Sequence, residues 1–288
     1  MKILVTGGAG FVGSNLISEL KENKEHQIVS LDNYFTGKEQ NHVAGVEYIK
    51  GDCRDIQNLI SFKPDIIFHF GEYSRVSTSF EDLQLVWDYN VAGTFQVLEF
   101  CRKNNCKLIY SASSTKFADD GTNRNQSPYA FYKSSNTDLI NNYAKWFNID
   151  YSICYFYNVY GNSQIKTGKY ATVIGIFEDQ YENNKSLTVV KPGYQTRDFT
   201  HIDDVVNGLI LLIKNGDGDG YCFGTGKKYQ MVEVAKMFQK EVEFVKERKG
   251  ERFESSIDLR KSYKMGWKHK IELNEYINNF IRRKRNEI

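Results

Sequence analysis

Proline and cysteine are both scarce: the 288-residue chain holds three prolines and five cysteines. Cys53, Cys101, Cys106, Cys154 and Cys222 are scattered, odd in number and form no C-x-x-C pair. That excludes a disulfide scaffold and a cysteine-zinc framework, and predicts reduced thiols in a cytoplasmic protein. An excess of one charge is also missing. Lys and Arg number 38 and Asp and Glu 36, a formal charge of +2, so nothing points to a nucleic-acid partner. The basic run Arg282-Arg283-Lys284-Arg285 reads as a solvated helix end. No apolar stretch reaches the roughly 18 residues of a membrane span. The longest, near Val205 to Ile213, is interrupted by Asn207 and Gly208, so no membrane is expected. The opening MKILVTGGAG reads as a strand and a turn, without the apolar core and small-residue cleavage site of a signal peptide. His69 and His201 have no second ligand at zinc spacing, and no metal is expected. The shortage of proline carries no functional reading.

Hydrophobic residues make up 41% and aromatics 14%, enough to build a sizeable core without staples at this length. The first half alternates strand and helix. Lys2 to Thr6, Ile28 to Leu31, Val46 to Lys50, Asp65 to Phe70, Lys107 to Ala112 and Tyr151 to Phe156 read as strands. Phe11 to Glu22, Val86 to Cys101 and Tyr129 to Trp146 read as helices. The run DIIFHF is nearly all apolar, as in a strand buried on both faces. Repeated βα units predict an α/β fold, a Rossmann-like doubly wound parallel sheet. After residue 160 the pattern loosens. Short strands (Leu187 to Val190, Gly220 to Phe223, Val242 to Val245) mix with helices (Thr172 to Glu182, Asp203 to Lys214, Met231 to Gln239, Leu273 to Arg283). The expected division is residues 1–160 as dinucleotide-binding domain and 161–288 as a smaller C-terminal α/β substrate part, with the ligand in the cleft between them.

The turn Gly7-Gly8-Ala9-Gly10-Phe11-Val12-Gly13 follows the first strand and opens the first helix. Gly8, Gly10 and Gly13 match G-x-G-x-x-G; Gly7, Gly10 and Gly13 equally match G-x-x-G-x-x-G. Such glycines allow the tight turn, the close approach of a pyrophosphate and the packing of helix on strand. The helix N-terminus offers free N–H groups and a positive dipole end. Asp32 closes the second strand, 19 residues after Gly13. An acid there binds the ribose 2′-OH and repels a 2′-phosphate, and no arginine stands beside it, so NAD is expected rather than NADP. Asp52-Cys53 follows the third strand, where a polar group could meet adenine or simply cap a turn.

Tyr129 and Lys133 are four residues apart on one helix and share a face. A free phenol has a pKa of about 10, but a neighbouring ammonium and the positive nicotinamide favour tyrosinate. Such a tyrosine can take a hydroxyl proton while hydride leaves the carbon. Ser113 stands at the end of the fifth strand, where active groups of these sheets gather. Alone, Y-x-x-x-K equally describes a surface helix pair; the three residues together are far more specific.

GGAGFVG, LDN, GD, YNVAGT, SASST, SPYAFYK, YNVYG, RDFTHIDD and IDLRKSYKMGW occur in the chain in that order. The set resembles the extended short-chain dehydrogenases/reductases, specifically the NAD-dependent epimerase/dehydratase family of nucleotide-sugar enzymes. The resemblance runs from residue 1 to about residue 270. It implies Ser113, Tyr129 and Lys133 as catalytic residues. It implies cofactor contacts from Gly7, Gly10, Phe11, Val12, Gly13, Asp32, Asn33, Asp52, Cys53, Phe70, Gly71, Asn90, Tyr129, Lys133 and Phe156. On the substrate side it implies Ser74, Arg75, Ser113, Ser114 and Asn158. Arg197 matches the arginine that grips the diphosphate, and Arg248 is a second, poorly aligned candidate whose alternative is a surface ion pair. Lys169, Tyr170 and Thr172 are candidates for the base pocket. The helices Val86 to Cys101 and Phe131 to Trp146 resemble those of the family's dimer interface, so a homodimer is expected.

The departures narrow the activity. Family dehydratases carry Asp-Glu after the catalytic Ser/Thr; here Ser114 and Thr115 stand there and cannot supply that acid and base at neutral pH. Ala118 replaces a usual glycine and Tyr155 a usual arginine. Glu72-Tyr73-Ser74-Arg75 replaces a small apolar stretch; Glu72 could read sugar hydroxyls or pair with Arg75. The implied activity is NAD-dependent oxidation of a hydroxyl, at C4, of a nucleotide-activated hexose or heptose, as a C4 dehydrogenase or 4-epimerase of surface-polysaccharide synthesis. The stretches EYSRV and SSTKF resemble the heptose branch, including GDP-glycero-manno-heptose 4-dehydrogenases of capsule pathways. The rivals are a 4,6-dehydratase or an NADPH reductase, which Ser114-Thr115 and Asp32 disfavour, and a catalytically silent NAD-binding regulatory or scaffold protein on the same fold.

Overall fold

A computed structural model describes residues 1–122, 124–254 and 256–286. In chain order the first half holds β1 (Lys2–Thr6), α1 (Phe11–Lys21), β2 (Gln27–Asp32), β3 (Glu47–Lys50), α2 (Ile56–Leu59), β4 (Ile66–His69), α3 (Leu83–Val86), α4 (Thr94–Asn104), β5 (Lys107–Ser113), α5 (Pro128–Phe147) and β6 (Tyr151–Phe156). The second holds α6 (Val173–Glu182), β7 (Leu187–Val190), β8 (Thr196–Arg197), α7 (Ile202–Asn215), β9 (Gly218–Phe223), β10 (Tyr229–Gln230), α8 (Met231–Met237), β11 (Val242–Val245), α9 (Arg260–Lys264) and α10 (Leu273–Asn286).

Seven strands form one parallel sheet in the order β3-β2-β1-β4-β5-β6-β9. Side chains alternate between its faces. Leu4, Val29, Ile67, Leu108 and Ile153 pack on one side with Val97 of α4 and Ile140 of α5. Ile3, Val5, Phe68, Ile109 and Cys154 pack on the other with Leu16 of α1 and Leu209 of α7. Strands covered on both faces read as apolar runs, which is why β4 was legible as a string of buried residues. The order reverses between β1 and β4, and the crevice at the carboxyl ends of those strands is where such sheets bind ligands.

The helix expected at Val86 begins earlier. α3 runs into α4 through a wider, π-type stretch, Trp87–Gly93. The division at residue 160 also differs from the structure. Beyond it the chain builds a second core around Phe177, Leu187, Phe199, Val234 and Ile277, with β7 beside β11 and β8 beside β10. It then returns to the main sheet. α7 covers one face, and β9 pairs with β6, Cys154 against Tyr221 and Phe156 against Phe223. A bare β6 edge would leave unpaired backbone groups; β9 supplies their partners. All five cysteines are buried and free. Among the described residues no helix is long and apolar enough to cross a membrane.

Candidate active site

A cleft of about 520 Å³ lies across the carboxyl ends of the main strands and the second core. Its floor is the glycine turn. Gly7 has φ +70°, and a Cβ there would stand 2.8 Å from the Phe70 backbone carbon. A Cβ on Gly13 would stand 2.3 Å from the Gly7 carbonyl oxygen. Gly10 precedes α1, and no side chain caps that helix. The first-turn N–H groups of Phe11, Val12 and Gly13 are thereby left for a ligand. Gly7, Gly10, Phe11, Val12 and Gly13 all line the cleft. Gly8 instead abuts Ser30 on β2, so of the two glycine spacings the one beginning at Gly7 faces the ligand.

Asp32 ends β2 and accepts from the N–H groups of Ala9 (2.9 Å) and Tyr34 (2.8 Å). Burial pushes its carboxyl above the ordinary carboxylate range. Asn33, Phe70 and Gly71 line the same end, and Phe156 the wall beyond. Asp52 and Cys53 lie in a small adjoining recess with Gly71 and Tyr89. Burial alone would raise the Asp52 carboxyl, but hydrogen bonds from Arg54 and Asn33 hold it below its usual value. Burial pushes the Cys53 thiol up, so it remains a neutral packing group. Asn90 is not brought to the cleft. It is fully buried, and its amide exchanges two hydrogen bonds with the Tyr73 backbone (2.7 and 3.0 Å), which fixes the loop after β4. The cradle, the open helix end and an acid without a neighbouring arginine fit a dinucleotide bearing a free 2′-OH.

At the reacting end, Ser113 ends β5 and accepts from the Thr115 N–H (3.2 Å) and hydroxyl (2.9 Å). Its own proton is left to donate into the cleft it lines. Ser127 caps α5 by accepting from the Ala130 N–H at 3.1 Å, with Pro128 in the first turn. This start places Tyr129 and Lys133 one turn apart on the buried face, both lining the cleft. Tyr129 packs with Tyr73 and Val86, and its hydroxyl has no hydrogen-bond partner among the described residues.

Lys133 carries a feature that sequence reasoning missed. Its ammonium forms a buried ion pair with Glu72 and also donates to the Ser111 carbonyl and to the Tyr110 hydroxyl (3.3 Å). Glu72 further accepts from Tyr110 (2.9 Å), Thr94 (3.1 Å) and Asn136 (3.2 Å). The two readings of Glu72 are thus corrected. It does not pair with Arg75, and its oxygens are occupied by protein donors, because the buried Lys133 needs an anion and Glu72 is placed to supply it. Arg75 lines the cleft, but its guanidinium donates to the Tyr170 and Ser74 carbonyls. It thereby clasps the β4 loop to the segment that leads into α6.

Ser74, Ser114 and Asn158 line the cleft; the Asn158 amide donates to the Asp198 carbonyl at 2.6 Å. Arg197 lines it with a partner, Glu251. Arg248 lines it exposed and without an ion pair among the described residues, contrary to the surface-pair alternative. Thr172 lines the cleft and caps α6, whereas Lys169 and Tyr170 turn to Asp82. Arg252, four residues after Arg248, also lines the cleft; its burial has no signal in the sequence. His69 sits between the Thr6 and Thr94 hydroxyls, and His201 caps α7 by accepting from Asp203. Among the described residues no group of His, Cys, Asp and Glu is placed to hold a metal.

Comparison with known proteins agrees with this geometry. The model of the NAD dependent epimerase/dehydratase family matches residues 3–224. A Methanocaldococcus jannaschii protein, provisionally named UDP-glucose 4-epimerase, is 33% identical over 97% of this chain and 97% of its own. The UDP-glucose 4-epimerase of Thermotoga maritima, solved with UDP-glucose, superposes with TM-score 0.92 at 26% identity, over 100% of this chain and 99% of that one. The UDP-glucuronic acid 4-epimerase of Bacillus cereus, solved with UDP-glucuronic acid and NAD, superposes with TM-score 0.86 at 25% identity over 100% of both chains. With its glycine cradle, Asp32 and the Ser113, Tyr129 and Lys133 cluster in one cleft, the chain belongs to the NAD-dependent epimerase/dehydratase family of extended short-chain dehydrogenases/reductases, enzymes of nucleotide-sugars that use NAD.

Proposed function

We propose that the protein is a nucleotide-sugar 4-epimerase, and that Tyr129 is its base. The observation that carries this reading is the state of two hydroxyls in the cleft. The Ser113 oxygen is filled by Thr115 donors, so its proton is free to donate to a substrate oxygen. The Tyr129 hydroxyl has no protein partner among the described residues and is free to accept the substrate's proton. Bound NAD supplies the hydride acceptor. Lys133 holds positive charge one helical turn from Tyr129, anchored by Glu72. Arg197 and Arg248 suit the diphosphate. Ser114 and Thr115 in place of an acid pair disfavour 4,6-dehydration. The names of similar proteins favour return of hydride to the ketone over its release.

The test is a panel of UDP-, GDP-, dTDP- and ADP-sugars, heptoses included, with products identified by NMR and reduced nicotinamide followed by absorbance. A C4 epimer without net NADH is expected. A 4-keto sugar with matching NADH would replace the epimerase with a C4 dehydrogenase. A heptose substrate finds little support in EYSRV and SSTKF. Glu72, Arg75 and Lys116 all donate to or accept from protein groups. Tyr129→Phe should lower turnover by about 10²–10⁴-fold, the usual worth of a general base; unchanged turnover would remove Tyr129 from that role. The expected homodimer rests on exposed aromatic rings of α4 and α5, and cytoplasmic residence on the free, buried thiols.

A further inference from the structure

The protein itself takes up every proton of the Lys133 ammonium. One goes to Glu72, one to the Ser111 carbonyl and one to the Tyr110 hydroxyl, and an ammonium has three to give. The pair is closed off from water: the Lys133 and Glu72 side chains are 6% and 3% exposed. Glu72 is held in turn by the Tyr110 hydroxyl of β5 (2.9 Å), the Thr94 hydroxyl of α4 (3.1 Å) and the Asn136 amide of α5 (3.2 Å). Neither member can turn away without breaking that network. Tyr73, the residue after Glu72, packs with Tyr129. A fixed carboxylate therefore accompanies the cation that lies one helical turn from the base.

An ammonium beside a phenol favours phenolate, and a carboxylate paired with that ammonium opposes the effect. Glu72 stands where the resemblance places a small apolar residue, so this opposition is a departure from the family pattern. Without Glu72 two oxygen acceptors, on Ser111 and Tyr110, would remain to the ammonium. The other titratable neighbours are His69 of β4, Tyr110 of β5 and Cys154 of β6, with Cys53 ahead of α2 and Tyr73 beside Tyr129. Burial lowers the His69 ring to about 4 and pushes both phenols and both thiols up, so all stay neutral from about pH 5 to about pH 10. The charged groups that share the cleft wall are Arg75, Arg197, Arg248, Arg252 and Glu251, with Asp32 at the cofactor end. They are the same with or without the Glu72 charge.

We propose that Glu72 is a positioning residue that offsets the Lys133 charge at Tyr129, and so sets the pH at which Tyr129 passes from phenol to phenolate. This rests on the reading of Tyr129 as the base and adds the group that tunes it.

The test is an absorbance titration of the NAD-loaded protein from about pH 5 to about pH 10, read at the tyrosinate band. Subtracting the same titration of Tyr129→Phe leaves the Tyr129 curve. Glu72→Gln keeps the size and one acceptor oxygen of the side chain and removes its charge. It should move the midpoint of that curve down by about one pH unit, the scale of one nearby charge. The acid limb of kcat/KM, for whichever sugar of the panel turns over, should move with it. Glu72→Asp keeps the charge and should leave the midpoint within about 0.3 units of the wild type. An unmoved midpoint in Glu72→Gln would overturn the proposal, since Glu72 would then only pack. So would a higher one, since Glu72 would then serve to keep Lys133 charged. Should Glu72→Gln misfold, Glu72→Ala reads the same shift with a small side chain. The titration needs no substrate, and this separates the two readings. A lowered midpoint beside a Tyr129→Phe protein of full turnover would sink only the base. An unmoved midpoint beside an inactive Tyr129→Phe protein would sink only the role of Glu72.

Discussion

His69 shows how a titratable side chain in this fold serves the frame rather than the chemistry. Its ring lies between the Thr6 hydroxyl (2.7 Å) and the Thr94 hydroxyl (3.0 Å), and burial lowers its pKa from 6.5 to about 4. The unfolded chain therefore binds a proton that the folded chain refuses between pH 6.5 and 4. Stability contributed by the neutral ring is fully present above that window and is lost as pH falls through it, on the order of 3 kcal/mol in all. Urea unfolding of the wild type should weaken from pH 7 to pH 4.5, and His69→Asn should show a shallower acid limb. Identical pH slopes would remove His69 as the cause. At this scale the sequence was read unevenly. Ser113, Tyr129 and Lys133 were legible because their spacing and strand-end position are local facts. Glu72 was not, because its partner lies 61 residues away on another element. Arg252 was passed over for Arg248, since both are arginines of one charged stretch and only packing makes one of them buried and unpaired.

Elements position these residues, and α1 does so with the least tolerance. Its first turn is held against the end of β1 by a contact that no side chain fits. A methyl on Gly13 would lie 2.3 Å from the Gly7 oxygen and 2.7 Å from the Gly8 Cα. Both are backbone atoms, so the helix must shift rather than a side chain rotate. Gly13→Ala should therefore cost about 1–3 kcal/mol of stability, as overpacking does. It should also lower NAD affinity at least about tenfold by displacing the N–H groups of the first turn. Fluorescence titration with NAD and thermal melting check both; normal affinity would mean that the turn is not the cofactor's cradle. The motif made this element legible, but it fitted two registers of glycine, and only the backbone separated Gly7 from Gly8. The π-type stretch Trp87–Gly93 left no sequence signal, because i→i+5 bonding has no residue signature of its own. The Arg75 clasp on Tyr170 escaped as well, since it joins two elements 95 residues apart.

At the scale of the whole molecule, the parallel sheet was legible wherever strands follow helices in regular alternation. It ceased to be legible where the chain leaves for the second core and comes back. β9 is short, and nothing local tells that its partner is β6, more than sixty residues earlier. What the sheet and its helices leave uncovered carries the last prediction. Trp87 stacks edge-on with Tyr132, which meets Phe131; Phe95 meets Tyr143, which meets Trp146 and Phe147. Trp87, Phe95, Phe131, Trp146 and Phe147 are nonetheless exposed. They lie on the stretch leading into α4, on α4 itself and on α5, so this side of the molecule leaves two clusters of aromatic rings exposed. Clustered exposed aromatic rings mark an interface, and a two-fold axis lets such surface cover its own copy. Light scattering at micromolar concentration should give twice the chain mass of 33.4 kDa. Phe95→Glu combined with Phe147→Glu should halve it without unfolding the subunit, because exposed substitutions change stability by no more than about 0.5 kcal/mol. A wild-type mass near 33.4 kDa would leave these rings without a partner of their own kind. A doubled mass insensitive to both charges would place the dimer elsewhere. Ser113, Tyr129 and Lys133 all come from one chain, so the halved protein should keep its cleft. Any activity lost with it would report how far the α4–α5 contact steadies Tyr129 and Lys133 on α5.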